Sequence, residues 1–284
     1  MTRAAIPILP SIAELAPRYD AWIVDIWGVM HNGRRAFEAA GEACRRFRAG
    51  GGLVVLLSNA PRPFTAVVGH MASLGVDAAA YDTGVTSGDA TRGLIEAWRG
   101  WAVLHIGPER DLGLFAGLDV RTVPAEAAEA IVCSGLYDDT KETPADYAAL
   151  FDRLAARGLP MICANPDLVV ERGDTLVYCA GSLAAAYAAK GGKVTYAGKP
   201  YLPIYERTFA EIARLAGRPV PKARILAIGD GLDTDLAGAH AAGLDSVFIA
   251  SAVHLPGELN ERTLADLFAA RPFAPIAALP ALDW

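Results

Sequence analysis

The stretch Trp22-Ile23-Val24-Asp25-Ile26-Trp27-Gly28-Val29 runs apolar into a carboxylate and then reaches a glycine. A buried parallel strand reads this way: both faces are covered, so its polar side chain appears only where the strand runs out. The pattern recurs in Leu53-Val54-Val55-Leu56-Leu57, which lies between glycines and Ser58-Asn59-Ala60-Pro61. It returns in Arg224-Ile225-Leu226-Ala227-Ile228-Gly229-Asp230 and in Ser246-Val247-Phe248-Ile249-Ala250. Between the first two runs lies an Ala-rich segment, about Ala36 to Arg48, that reads as a helix stopped by Gly50 to Gly52. Ahead of them, Ser11 and Glu14 read as a capping box opening a short helix.

Strands alternating with helices predict an α/β fold, a doubly wound, Rossmann-like parallel sheet. The spacing of the strand ends then exposes a second body. Asp25 and Ser58 are 33 positions apart and Lys199 and Asp230 are 31 apart, each near the ~30 residues of one strand-helix-strand crossover. Ser58 and Lys199 are 141 apart. That interval carries its own predicted strands, Ala102-Ile106, Ala130-Cys133 and Pro160-Cys163, and a helix near Pro144 to Arg157. Connections without such elements rarely exceed ~15 residues in compact domains, so the insert is expected to fold as a cap over the strand ends. Gly84 to Asp89 reads as the last core loop and Tyr178 to Ser182 as the return. The core is therefore expected over 1–89 and 186–284, with the inserted α/β cap over 90–185.

A chain of 284 residues with 53% hydrophobic content has the apolar mass for two cores. A net charge of −6 with no basic run argues against nucleic acid as a partner. No run of about 18 apolar residues and no signal-like N-terminus is present, which predicts a cytoplasmic protein with no membrane partner. Cys44, Cys133, Cys163 and Cys179 form no CxxC pair, so free buried thiols are expected. A homo-oligomer is left open.

The strand ends carry the chemistry. Carboxylates at the carboxyl edge of an open α/β sheet lie where such folds bind ligands, so Asp25 is a candidate nucleophile, or else the cap of a turn. Ser58 and Asn59 offer a hydroxyl and backbone N–H groups to a phosphate, or form an ordinary turn. Lys199, in Ala197-Gly198-Lys199-Pro200, brings a point charge to a loop that glycine lets approach closely. Asp230 and Asp235, five apart after an apolar strand, suit Mg²⁺, which takes one or two carboxylates plus water and phosphate. A calcium loop would need a terminal glutamate that is missing here, and Asp233 reads as a turn residue or helix cap.

In this order the motifs resemble those of the haloacid dehalogenase-like (HAD) hydrolase superfamily. With the insert after the second motif and Cys163-Ala164-Asn165-Pro166-Asp167 inside it, the chain resembles the class IIA branch of para-nitrophenyl-phosphatase-like and sugar-phosphate or nucleotide phosphatases. The resemblance spans about Tyr19 to Ala250. It implies a phosphatase of small phosphorylated metabolites working through an aspartyl-phosphate. Asp25 would be nucleophile and metal ligand, and Ser58, Asn59 and Lys199 would bind phosphate. The Trp27 backbone carbonyl and Asp230 would reach Mg²⁺ directly, and Asp235 would support it from further out.

Relatives carry a second aspartate two residues after the nucleophile, which protonates the leaving group; here that position is Trp27. Its loss implies slow hydrolysis, since general acid-base help is worth roughly 10²- to 10⁴-fold. His31 and Asn32 are the nearest substitute acids, and Trp27 could instead wall the pocket. A non-catalytic phosphate-binding or regulatory protein on the same fold is the alternative. Carbon-halogen or phosphorus-carbon cleavage also dispenses with that aspartate, but the cap type argues against it. Asn165 and Asp167, the Asp138-Asp139-Thr140-Lys141 loop and Tyr147 are expected to face the substrate, the loop alternatively being a solvated turn.

Overall fold

The computed structural model describes residues 5–172, 175–250 and 257–284, which form two compact units. The first comprises Met1–Ser58, Val68–Val85 and Tyr205–Trp284, and the second Asn59–Val67 and Thr86–Ile204.

The first unit is built on a six-stranded sheet. Its strands lie in the order Ala277–Leu279, Asp245–Ile249, Ile225–Gly229, Ala21–Asp25, Leu53–Ser58 and Thr83–Thr86. Every residue of the strands Ala21–Asp25 and Ile225–Gly229 is buried, as expected of parallel strands covered on both faces. Ala21–Asp25 pairs in parallel with both neighbours, Val24 opposite Ile228 and Asp25 opposite Leu57. From this central strand the chain proceeds outward to Leu53–Ser58 and Thr83–Thr86 on one side. On the other side it runs from Ile225–Gly229 to Asp245–Ile249 and Ala277–Leu279. The order therefore reverses between Ala21–Asp25 and Ile225–Gly229, and an open α/β sheet leaves its ligand crevice at the carboxyl ends flanking such a point. Trp22 stacks on Phe47 of the helix Glu38–Ala49 at 3.9 Å, joining sheet to helix.

The second unit holds a five-stranded sheet ordered Lys193–Tyr196, Pro160–Cys163, Ala130–Cys133, Ala102–Ile106 and Arg121–Thr122. Its core joins Ile106, Ile131 and Met161 to Phe151 and Leu154 of the helix Ala148–Ala156 and to Leu183 and Tyr187 of the helix Ala180–Ala189. A separate antiparallel pair of strands, Val169–Arg172 with Thr175–Tyr178, also belongs to this unit.

Several expectations differ from the structure. Ser11 opens a turn, its hydroxyl accepting the Ala13 N–H, but no α-helix follows. Pro17 lacks the N–H such a helix needs, and only a short 3₁₀ turn, Ala16–Arg18, forms. Gly84 to Asp89 is not a loop: Thr83–Thr86 is a strand and Ser87–Ile95 a helix capped by Thr86 and Asp89. Tyr178 to Ser182 does not return to the first unit. It leads into the helix Ala180–Ala189, and the following strand Lys193–Tyr196 pairs in parallel with Pro160–Cys163. The second unit accordingly runs from Thr86 to Ile204, where 90 and 185 were expected, and also includes Asn59–Val67. All four cysteines are buried and free. Among the described residues no helix is long and apolar enough to cross a membrane.

Candidate metal and phosphate site

Within the first unit, strand order alone brings Asp25 and Asp230 to adjacent strand ends at the reversal. Asp25, Asp230 and Asp235 are buried and offer carboxylate oxygens that all lie within 4.8 Å of one another. Local backbone chemistry helps to place Asp230 and Asp235. Asp230 packs against the main chain at Gly28, where a Cβ would stand 2.2 Å from its Oδ2 and where φ is +87°. Only glycine meets both conditions. After Gly229 the chain makes one wide turn over Leu232–Leu236, closed by a bond from the Leu236 N–H to the Gly231 carbonyl. Such i→i+5 turns recur at functional sites because they re-aim a side chain without breaking the helix that follows. Here the turn aims Asp235 inward, and its Oδ2 accepts the Gly231 N–H at 3.0 Å. Asp233 projects outward and pairs with Arg271, as suits a turn residue.

Three buried carboxylates this close repel one another, and a cation held between them relieves that repulsion. Their donor set is all hard oxygen, which fits a hard divalent cation.

Trp27 is 46% exposed. Its ring lies over Gly33, where a Cβ would meet it at 2.2 Å, and meets the His31 ring edge-on at 5.4 Å. His31 is not a substitute acid. It is buried, its Nδ1 accepts the Gly33 N–H, and burial together with the neighbouring His70 lowers its pKa to about 4. Near neutral pH it is an uncharged imidazole. Asn32 is likewise engaged, its Oδ1 accepting the Arg34 and Arg35 N–H groups.

Ser58 ends the strand Leu53–Ser58 in the first unit, and Asn59, next in the chain, belongs to the second. There Asn59 is buried, and its carboxamide meets two loops. Its Oδ1 accepts the Lys199 N–H at 2.7 Å, and its Nδ2 donates to the Lys199 carbonyl at 3.1 Å and to Asp167 Oδ1 at 2.8 Å. Asn165 Oδ1 accepts the Asp167 N–H, shaping that loop. Lys199 is 3% exposed, deep burial for a residue type that seldom leaves the surface.

Tyr147 is a core residue: it is buried, donates to Glu142 and accepts the Tyr137 N–H. Asp138 is the hub of an exposed turn, bound by Thr140 and Lys141, and Asp139 pairs with Arg110. Two supporting contacts carried no signal in the sequence. The Tyr205 hydroxyl donates to the Asp235 carbonyl, and Gly238 makes room for the Tyr205 ring.

Residues 22–121 match the family described as haloacid dehalogenase-like hydrolase, and residues 196–274 match a second described as HAD-hydrolase-like. A crystal structure of a haloacid dehalogenase-like family hydrolase from Brucella suis is 46% identical, with a TM-score of 0.85 over 96% of this chain and 99% of that one. The chain belongs to the haloacid dehalogenase-like hydrolase family. D-glycerol 3-phosphate phosphatase of Mycobacterium tuberculosis is 31% identical over 85% of the chain, which spans 65% of that relative's length. Glycerol phosphate phosphatase from the same organism, solved in complex with magnesium, is 26% identical, with a TM-score of 0.70 over 95% of this chain and 77% of that one.

Proposed function

We propose that this HAD-family hydrolase is a Mg²⁺-dependent phosphatase of small organophosphates that works through an aspartyl-phosphate on Asp25. The observation that carries the reading is the buried Asp25, Asp230 and Asp235 cluster at the reversal of strand order. The relatives named as phosphatases of D-glycerol 3-phosphate and glycerol phosphate support the same class of reaction.

In this reading Asp25 attacks phosphorus, the bond to the leaving oxygen breaks, and water then releases phosphate from the carboxylate. Ser58, the Asn59 backbone N–H and Lys199 take the phosphoryl oxygens. Asp25, Asp230 and the Trp27 carbonyl would hold the cation, with Asp235 supporting it through its fixed orientation. Bound there, Mg²⁺ would offset the clustered negative charge and polarise a phosphoryl oxygen. In the same reading Asn165 and Asp167 would contact the substrate.

Leaving-group chemistry is where Trp27 matters. An indole donates no proton at this step and His31 is neutral, so the leaving oxygen departs without help from either. Aryl and acyl phosphates, whose leaving groups are stable as anions, should therefore outpace glycerol 3-phosphate. The test is kcat/KM across such a panel with Mg²⁺. Trp27→Asp should narrow the gap by up to ~10²-fold, because supplied acid catalysis helps poor leaving groups most. Trp27→Ala controls for the space the ring vacates. Equal leaving-group dependence in wild type and both variants would contradict the reading. Trp27 also favours a second one, a phosphate-binding protein without turnover, which would bind phosphate and Mg²⁺ but hydrolyse nothing on the panel.

A further inference from the structure

Asn59 stands beside Ser58 in a motif whose obvious use is to donate to phosphate, yet its side chain is engaged elsewhere. A carboxamide has two N–H donors, and both are taken, one by the Lys199 carbonyl and one by Asp167 Oδ1. The partners also fix which end is which: a main-chain N–H requires an acceptor, and a carbonyl and a carboxylate require donors. One planar group thus pairs with both main-chain polar atoms of Lys199 while holding Asp167.

The two loops it joins follow adjacent strands. Lys199 comes after Lys193–Tyr196 and Asp167 after Pro160–Cys163, and these strands pair with Tyr196 opposite Cys163. Packing at the junction is close: a Cβ on Gly198 would lie 2.5 Å from Asn59 Oδ1 and 2.7 Å from Pro166 Cδ. Lys199 carries its ammonium on a four-carbon stem, so where that charge sits depends on how firmly the backbone beneath it is held.

We infer that the Asn59 side chain plays a positioning role: its carboxamide clamps the Lys199 backbone to the Asp167 loop and so fixes where the lysine charge is presented, and the carboxamide itself donates no hydrogen bond to substrate. The inference rests on Lys199 being the phosphate-binding lysine of the function proposed above. It assigns Asp167 to anchoring the clamp, whatever further contact that carboxylate makes with a ligand.

The test combines hydrogen exchange with a double-mutant cycle. In Asn59→Ala, peptides covering residues 197–201 and 165–168 should exchange faster while the central strand Ala21–Asp25 stays protected. Unchanged exchange in both loops would overturn the clamp, and this readout needs no activity. With p-nitrophenyl phosphate and Mg²⁺, Asn59→Ala should lower kcat/KM on the order of 10- to 100-fold, the scale of a misplaced catalytic group. In a Lys199→Ala background the same change should cost under about 3-fold, because residues acting through one another are not additive. Effects that multiply in full would mean that Asn59 acts on substrate independently of Lys199, and would overturn the positioning role. Should Asn59→Ala not fold, Asn59→Asp keeps the acceptor for the Lys199 N–H but sets a carboxylate against Asp167. Adding Asp167→Asn exchanges the two side chains and should recover part of the lost rate and exchange protection. A double variant no better than Asn59→Asp alone would count against the clamp. If wild type hydrolyses no phosphate ester, the proposed function fails by itself, while the exchange data still decide the clamp.

Discussion

Gly28→Ala probes the site without touching a carboxylate. At φ +87° an alanine pays the left-handed penalty, about 1–2 kcal/mol. For a chain of this size that corresponds to a fall in Tm of roughly 2–3 °C. The new methyl would also stand 2.2 Å from Asp230 Oδ2 and 2.7 Å from its Cγ. Ordinary contact between such atoms needs about 3.5 Å, so the carboxylate must withdraw by about 1 Å. A displacement of that size at a catalytic group can cost on the order of 10²-fold in rate. Gly69→Ala is the matched control: it lies in the helix Phe64–Ser73 with nothing within 4 Å of the added Cβ. There alanine should hold or raise stability, by up to about 1 kcal/mol. The assays are thermal denaturation with and without Mg²⁺ and p-nitrophenyl phosphate turnover. A Gly28→Ala protein that matches wild type in both would refute the placement of Asp230 against this backbone.

Two further outcomes follow from the charges. Mg²⁺ should stabilise the fold by relieving repulsion among Asp25, Asp230 and Asp235, by about 2.7 kcal/mol at a hundred times Kd, and so raise Tm; Asp230→Asn should weaken that response in a thermal-shift titration. Burial lowers the His105 pKa from 6.5 to about 4, so the folded state favours the neutral ring and the unfolded chain takes up a proton first. The stability this gives is present above pH 6.5 and lost as pH falls towards 4; denaturation across that window should show a shallower decline in His105→Gln.

The sheet was legible because its buried strands are near-pure apolar runs that stop at Asp25, Ser58 and Gly229. Inside the insert, the predicted strands Ala102–Ile106, Ala130–Cys133 and Pro160–Cys163 agree with the structure to the residue. Weaker elements were hidden by their own composition. Thr83–Thr86 is four residues long, contains a glycine and lies at the sheet edge. Lys193–Tyr196 is four residues long and alternates exposed and half-buried residues, so no apolar run marks it. The capping pair Thr86 and Asp89 was a readable signal for the helix that follows. Of the site, the residue types were visible and their partners were not. Asn59 meets Asp167 and Lys199 across 108 and 140 positions, a coincidence set by tertiary structure alone. Nor does a sequence show that His31 is buried and neutral, since its charge depends on neighbours brought together by folding.

The most direct test of the account is Mg²⁺-dependent hydrolysis of p-nitrophenyl phosphate by purified wild type and Asp25→Asn. The substitution is nearly isosteric, so the variant should keep its fold and Tm range while losing the attacking carboxylate and with it essentially all turnover. A folded Asp25→Asn protein that retains most of the wild-type rate would place the chemistry elsewhere and contradict the account.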